Sequence, residues 1–102
     1  MNKEKFLKTE LGSGMVECAK AWDRWLNRLT IYTYRIMTNS EYKEAKEKAA
    51  RCQAQWEVYK MAVKQFYGIE YYFSRTDEYF GICTEDETDW LLKVDRETSE
   101  VD

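Results

Sequence analysis

Residues 38–68, TNSEYKEAKEKAARCQAQWEVYKMAVKQFYG, decide the fold. Tyr42, Ala49, Trp56 and Val63 recur every seven residues, with Ala45, Cys52, Tyr59 and Phe66 as the companion row. Apolar side chains at that spacing fall on one stripe of a helix, a heptad seam nearly four repeats long. Thr38 and Glu41 stand at capping-box spacing, in which each side chain accepts from a free backbone N–H of the other's turn. The spacing predicts a helix over 39–67.

Toward the N-terminus the same period continues. Met15, Trp22, Leu29 and Ile36 form one row, Cys18, Trp25 and Tyr32 the next, and Leu26 widens the stripe. This predicts a helix over 14–37, beginning after the break Gly12-Ser13-Gly14, with Ser13 as its N-cap. The connection through Thr38 to Glu41 is short enough to force an antiparallel hairpin. At about 1.5 Å of rise per residue each helix runs roughly 35 to 40 Å, too long for one partner to cover its seam. A short helix within 1–11, carrying Phe6, Leu7 and Leu11, supplies part of the cover.

The rest comes from beyond Gly68, where the period changes from helical to alternating. Ile69, Tyr71 and Phe73 point one way, Phe80 and Ile82 alternate after a turn at Ser74 to Asp77, and Trp90, Leu92 and Val94 form a third row. This pattern predicts a β-meander over 69–95. The competing reading makes the last segment helical, since Thr84 and Glu87 also have capping-box spacing. Residues 97–102 read as a frayed tail. The expected architecture is α+β: a long helical hairpin with a short N-terminal helix, packed on a small antiparallel sheet of two or three strands, in a single domain spanning 1–102.

Composition narrows the chemistry. The 102 residues contain no His and no Pro, four Gly and three Cys. Without His, the usual triads and His-bearing metal sites are excluded, because no other side chain titrates near neutrality unaided. Cys18, Cys52 and Cys83 are too widely spaced for a zinc or CxxC motif and read as buried reduced thiols. There is no Gly-rich phosphate loop. The expectation is a protein that is not an enzyme, with no catalytic residues, metal or cofactor. No run approaches the ~20 apolar residues of a membrane span, and the N-terminus lacks a secretory apolar stretch, so a cytoplasmic protein without membrane contact is expected.

Charge is divided along the chain. Residues 1–66 hold 13 Lys and Arg against 8 Asp and Glu, whereas residues 67–102 hold 3 against 11. Lys20, Arg24, Arg28 and Arg35 share one sector of the first long helix, a basic ridge that could contact phosphate. The net charge of −3 opposes that use, which leaves direct nucleic-acid binding as an alternative. On the acidic side, Asp77 and Glu78 occupy one turn and Glu85, Asp86, Glu87 and Asp89 the next, with Glu70 and Asp95 nearby. Gathered carboxylates repel one another unless a basic partner meets them. Tyr72 and Tyr79 should face outward beside them as rigid anchors.

These features point to a binding protein whose acidic, Tyr-rich surface blocks a basic nucleic-acid groove of another protein, using Tyr72, Asp77, Glu78, Tyr79, Glu85, Asp86, Glu87 and Asp89. In size, acidity and lack of catalytic residues the chain resembles small anti-defence proteins of phages and mobile elements, such as anti-CRISPR inhibitors that imitate DNA. The resemblance implies a bacterial defence nuclease as partner. A second alternative is a structural or regulatory hairpin that self-associates as a homodimer through Trp22, Trp25 and Trp56.

Overall fold

A computed structural model describes residues 2–32 and 38–96. Three helices, α1 (Lys3–Lys8), α2 (Glu10–Tyr32) and α3 (Asn39–Tyr67), precede three strands, β1 (Tyr72–Arg75), β2 (Tyr79–Cys83) and β3 (Trp90–Asp95). The strands form an antiparallel meander in the order β1-β2-β3. The fold is α+β, as the change of period predicts, and residues 90–95 are strand rather than helix. Arg35, Ile36, Met37 and the tail 97–102 lie outside the described residues, so the predicted end of the first long helix does too.

The start of α2 differs from expectation. The helix runs straight through Gly12-Ser13-Gly14, and its N-cap is Thr9 rather than Ser13. The Thr9 hydroxyl accepts from Gly12 N–H at 3.0 Å and donates to the Phe6 carbonyl at 2.6 Å, so one residue closes α1 and opens α2. Gly12 is there for room: a Cβ would stand 2.0 Å from the Phe6 carbonyl oxygen, where α1 folds back onto α2. Gly14 likewise lies under the Tyr59 ring.

Helix α3 has its predicted limits. Thr38 Oγ1 accepts from Glu41 N–H at 3.2 Å. Gly68 ends the helix at φ 70°, a left-handed conformation that glycine adopts without steric cost. Along its seam Ala45, Ala49, Cys52, Trp56 and Val63 are buried, but Tyr59 is only half-buried and Phe66 is 74% exposed. A straight α-helix drifts by about 20° per heptad against a strict seven-residue repeat. Three heptads carry the row beginning at Ala45 out of the seam by Phe66, while the row through Ala49 rotates into it and leaves Val63 fully covered.

The core joins both layers. Trp22 stacks on Phe73 with ring centroids 4.3 Å apart, and Trp56 meets both rings. Phe6, Met15, Tyr71, Ile82 and Leu92 close around them. The third strand departs from its predicted row: Leu91 and Leu92 are both buried, because a register irregularity at Ile82/Cys83 leaves Ile82 paired with Leu92 but Cys83 with Trp90. A bulge of one residue turns the side chains on its far side to the opposite face. Trp90 therefore leaves the inner row of Leu92 and Val94.

Candidate functional site

The bulge builds the surface facing away from the helices. Phe73, Ile82 and Leu92 are inner-face neighbours, so Tyr72, Ser74, Tyr79, Cys83, Trp90 and Lys93 take the other side by alternation. Tyr79 and Trp90 meet edge to face at 5.5 Å, and the Lys93 ammonium lies over both rings at 4.8 and 4.9 Å. Tyr72 is covered by the Lys60 ammonium at 3.8 Å and is hydrogen-bonded to Glu70. Both tyrosines are half-buried rather than free-standing. Trp90 belongs to this surface although its sequence position marked it for the core; the only hint is that Leu91 and Leu92 are adjacent where strict alternation allows one apolar residue.

The β2–β3 hairpin loop supplies the acids. Its shape is set internally: Thr84 N–H donates to the Asp89 carbonyl at 3.0 Å and Glu87 N–H to the Thr84 carbonyl at 2.9 Å. One Asp86 oxygen accepts from both the Thr84 and Thr88 hydroxyls at 2.8 Å. These hydroxyl bonds and the Thr88 N–H hold the Asp86 carboxyl below its ordinary value of 3.8. A lowered folded-state value means that the contribution to stability is complete above about pH 3.8 and is lost as pH falls through the lowered value. The Asp86 carboxyl carbon resonance should therefore titrate with a midpoint below 3.8, and Asp86→Asn should remove that titration.

Glu87 has a different task. At φ 58° it turns its carboxylate back over the sheet, where Ser74 Oγ donates to it at 3.1 Å and the Tyr79 hydroxyl reaches it. Burial, then the Glu87 charge, push the Tyr79 phenol upward. Asp89 pairs with Lys3, and Glu70 with Lys60 and Lys64. Glu85 is exposed and carries no ion pair among the described residues.

A meander places successive turns at opposite ends of the sheet, so Asp77 and Glu78 are separated from Glu85 to Asp89 by the length of β2, roughly 13 Å. The predicted acids thus form two groups, and Glu85, Asp86 and Glu87 share the hairpin tip without a lysine counterion among the described residues. Thr76 fixes the other turn, its hydroxyl oxygen accepting from Glu78 and Tyr79 N–H at 3.2 and 3.1 Å.

Behind that turn lies an arrangement that no sequence pattern announces. Asp23 is 3% exposed on α2. Arg96 grips its carboxylate with both terminal nitrogens at 2.7 and 3.0 Å, and Arg75 Nε donates to it at 3.0 Å. Asn27 completes the group by donating to Asp23 and accepting from Arg75. Two of the three cations of residues 67–102 are thereby withdrawn to an interior carboxylate, and the outward surface of this half keeps Lys93 alone.

The alternative surfaces change as well. Of the three tryptophans of the predicted self-association contact, Trp56 is buried, while Trp22, stacked on Phe73, and Trp25, beside Arg28, are half-buried. On the basic ridge Lys20 pairs weakly with Glu17, at 3.9 Å, while Arg24 and Arg28 are exposed. The three thiols are buried, and burial raises Cys18 to about 11.

Comparison with known protein families, with curated proteins and with solved structures yields no match. Among the described residues no helix is long and apolar enough to cross a membrane.

Proposed function

We propose that the protein is a non-enzymatic inhibitor of the phage or mobile-element type, acting in the cytoplasm. It places the β2–β3 hairpin and the adjoining aromatic face into a basic nucleic-acid groove of another protein, such as a bacterial defence nuclease. The observation that carries this reading is the segregation of charge. Glu85 and Asp86 stand at the tip of an internally bonded loop beside Tyr79 and Trp90, while Arg75 and Arg96 are turned inward on Asp23. Carboxylates on a preformed support lose little entropy on binding. An aromatic centre with a charged margin is the composition of a contact surface whose anchors carry affinity and whose charges steer approach. Asp77 and Glu78 offer a second acidic point at the far end of β2.

Asp86 and Glu87 shape the loop, so Glu85→Lys is the substitution that alters charge without altering structure. Bound to a captured nucleic-acid enzyme, the wild-type chain should be displaced by duplex DNA, and Glu85→Lys should bind about tenfold more weakly. Binding indifferent both to DNA and to the reversal ends this reading. Recovery of nucleic acid in place of a protein would transfer the function to Arg24 and Arg28.

A further inference from the structure

We propose that the hollow between β1 and the β2–β3 hairpin loop is a pocket for one arginine side chain of the partner protein. This rests on the function proposed above and names the group on the partner that the acidic face grips. The cavity measures about 230 Å³, and Tyr72 and Ser74 of β1, Cys83 of β2, and Thr84, Glu85 and Glu87 of the loop line it. Small-molecule sites start at roughly 300 Å³. This one has the room of about eight waters, which suits a guanidinium and the methylenes behind it rather than a free metabolite.

The charge of this cavity is negative and uncompensated. Glu85 is exposed and makes no hydrogen bond or ion pair among the described residues. Glu87 accepts from Ser74 and Tyr79, which leaves vacant about half of the lone-pair sites of its carboxylate. Neither cation of this face lines the cavity: Lys60 lies over Tyr72 and pairs with Glu70, and Lys93 is held over Tyr79 and Trp90. On the floor Cys83 is 1% exposed, and its thiol makes no hydrogen bond among the described residues. Burial, then the Glu87 and Asp86 charges, push that thiol upward, so it stays neutral and offers the pocket a polar atom without a charge. Such a set selects guanidinium over ammonium. A planar fork of N–H donors can bond both carboxylates at once, whereas an ammonium is a compact, strongly hydrated point charge that loses more on leaving water.

The test needs no knowledge of the partner. The full chain, labelled with nitrogen-15, is titrated with N-acetyl-arginine methylamide at constant ionic strength, up to about 50 mM, well above an expected Kd of about 1 to 10 mM for so small a probe. Saturable shifts should appear at the amides of Ser74, Thr84, Glu85 and Glu87. N-acetyl-lysine methylamide should bind about fivefold more weakly, and Glu85→Gln should weaken the arginine probe by a similar factor while leaving amides remote from the loop in place. Shifts that do not saturate overturn the proposal, as do equal affinities for the two probes or an affinity that Glu85→Gln leaves unchanged. The inhibitor reading fails separately: probe binding without any DNA-displaceable partner ends that reading and keeps the pocket, whereas DNA-displaceable capture without probe binding ends the pocket and keeps the reading.

Discussion

Asp23→Ala is expected to destabilise the fold by about 3 kcal/mol, at the lower end of what removing one member of a buried ion pair costs. The carboxylate is nearly enclosed and receives hydrogen bonds from two guanidinium groups and one amide. Its removal leaves two cations facing each other without a counterion. The arginine side chains retain 29% and 21% exposure, so water relieves part of the penalty and places the effect at about 3 rather than 5 kcal/mol. For a domain of this length that corresponds to a fall in Tm of roughly 12 to 20 °C. Asp23→Asn, which keeps the shape and some of the hydrogen bonds, should cost about half as much. Urea unfolding measures both; a loss below about 1 kcal/mol for the alanine variant would show that the cluster does not hold the sheet to α2.

Gly12→Ala should act against the ordinary rule for helices. In a helix interior alanine is better than glycine by about 1 kcal/mol, yet here a loss of about 2 kcal/mol is expected, in the range for forcing extra atoms into a packed site. The new methyl would lie 2.0 Å from the Phe6 carbonyl oxygen and 2.7 Å from its carbon. A backbone cannot swing aside as a side chain can, so α1 must lift and Phe6, 1% exposed, must lose its cover. Ser13→Ala is the control. As the N-cap it would cost about 1 kcal/mol; as an exposed residue inside α2 it should cost nothing or stabilise slightly. Thermal melts of the two variants distinguish the readings, and equal stability of Gly12→Ala and wild type would refute the close approach.

Much of the architecture was legible because it rests on periodicity. Thr38, Glu41 and the heptad row predict α3 to the residue, and the shift to alternation after Gly68 predicts a meander on a helical hairpin. The misreadings share a cause. Gly12 and Gly14 look like a break because glycine lowers helix propensity, but that local preference is overruled by a contact with Phe6 and Tyr59 that no local pattern encodes. Phe66 fits the heptad yet leaves the seam, because a straight helix drifts away from a seven-residue repeat. Trp90 fits the apolar row yet faces outward, because one bulged residue reverses every side chain beyond it.

The candidate surface divides in the same way. Its residue types were visible in the chain: the acidic turns, the tyrosines and the charge imbalance between the two parts. Which acids acquire counterions was not visible, because their lysine partners come from α1 and α3.

What the linear order of residues determined by itself was therefore the class of fold, the limits of the longest helix and the acidic character of the C-terminal part, all consequences of spacing and composition. The tertiary structure alone decided that Asp23 gathers Arg75 and Arg96 across 52 and 73 residues of chain. Burial of a charge is stable only where opposite charges converge on it in space, and convergence at such separations is a property of packing, which no local sequence pattern specifies.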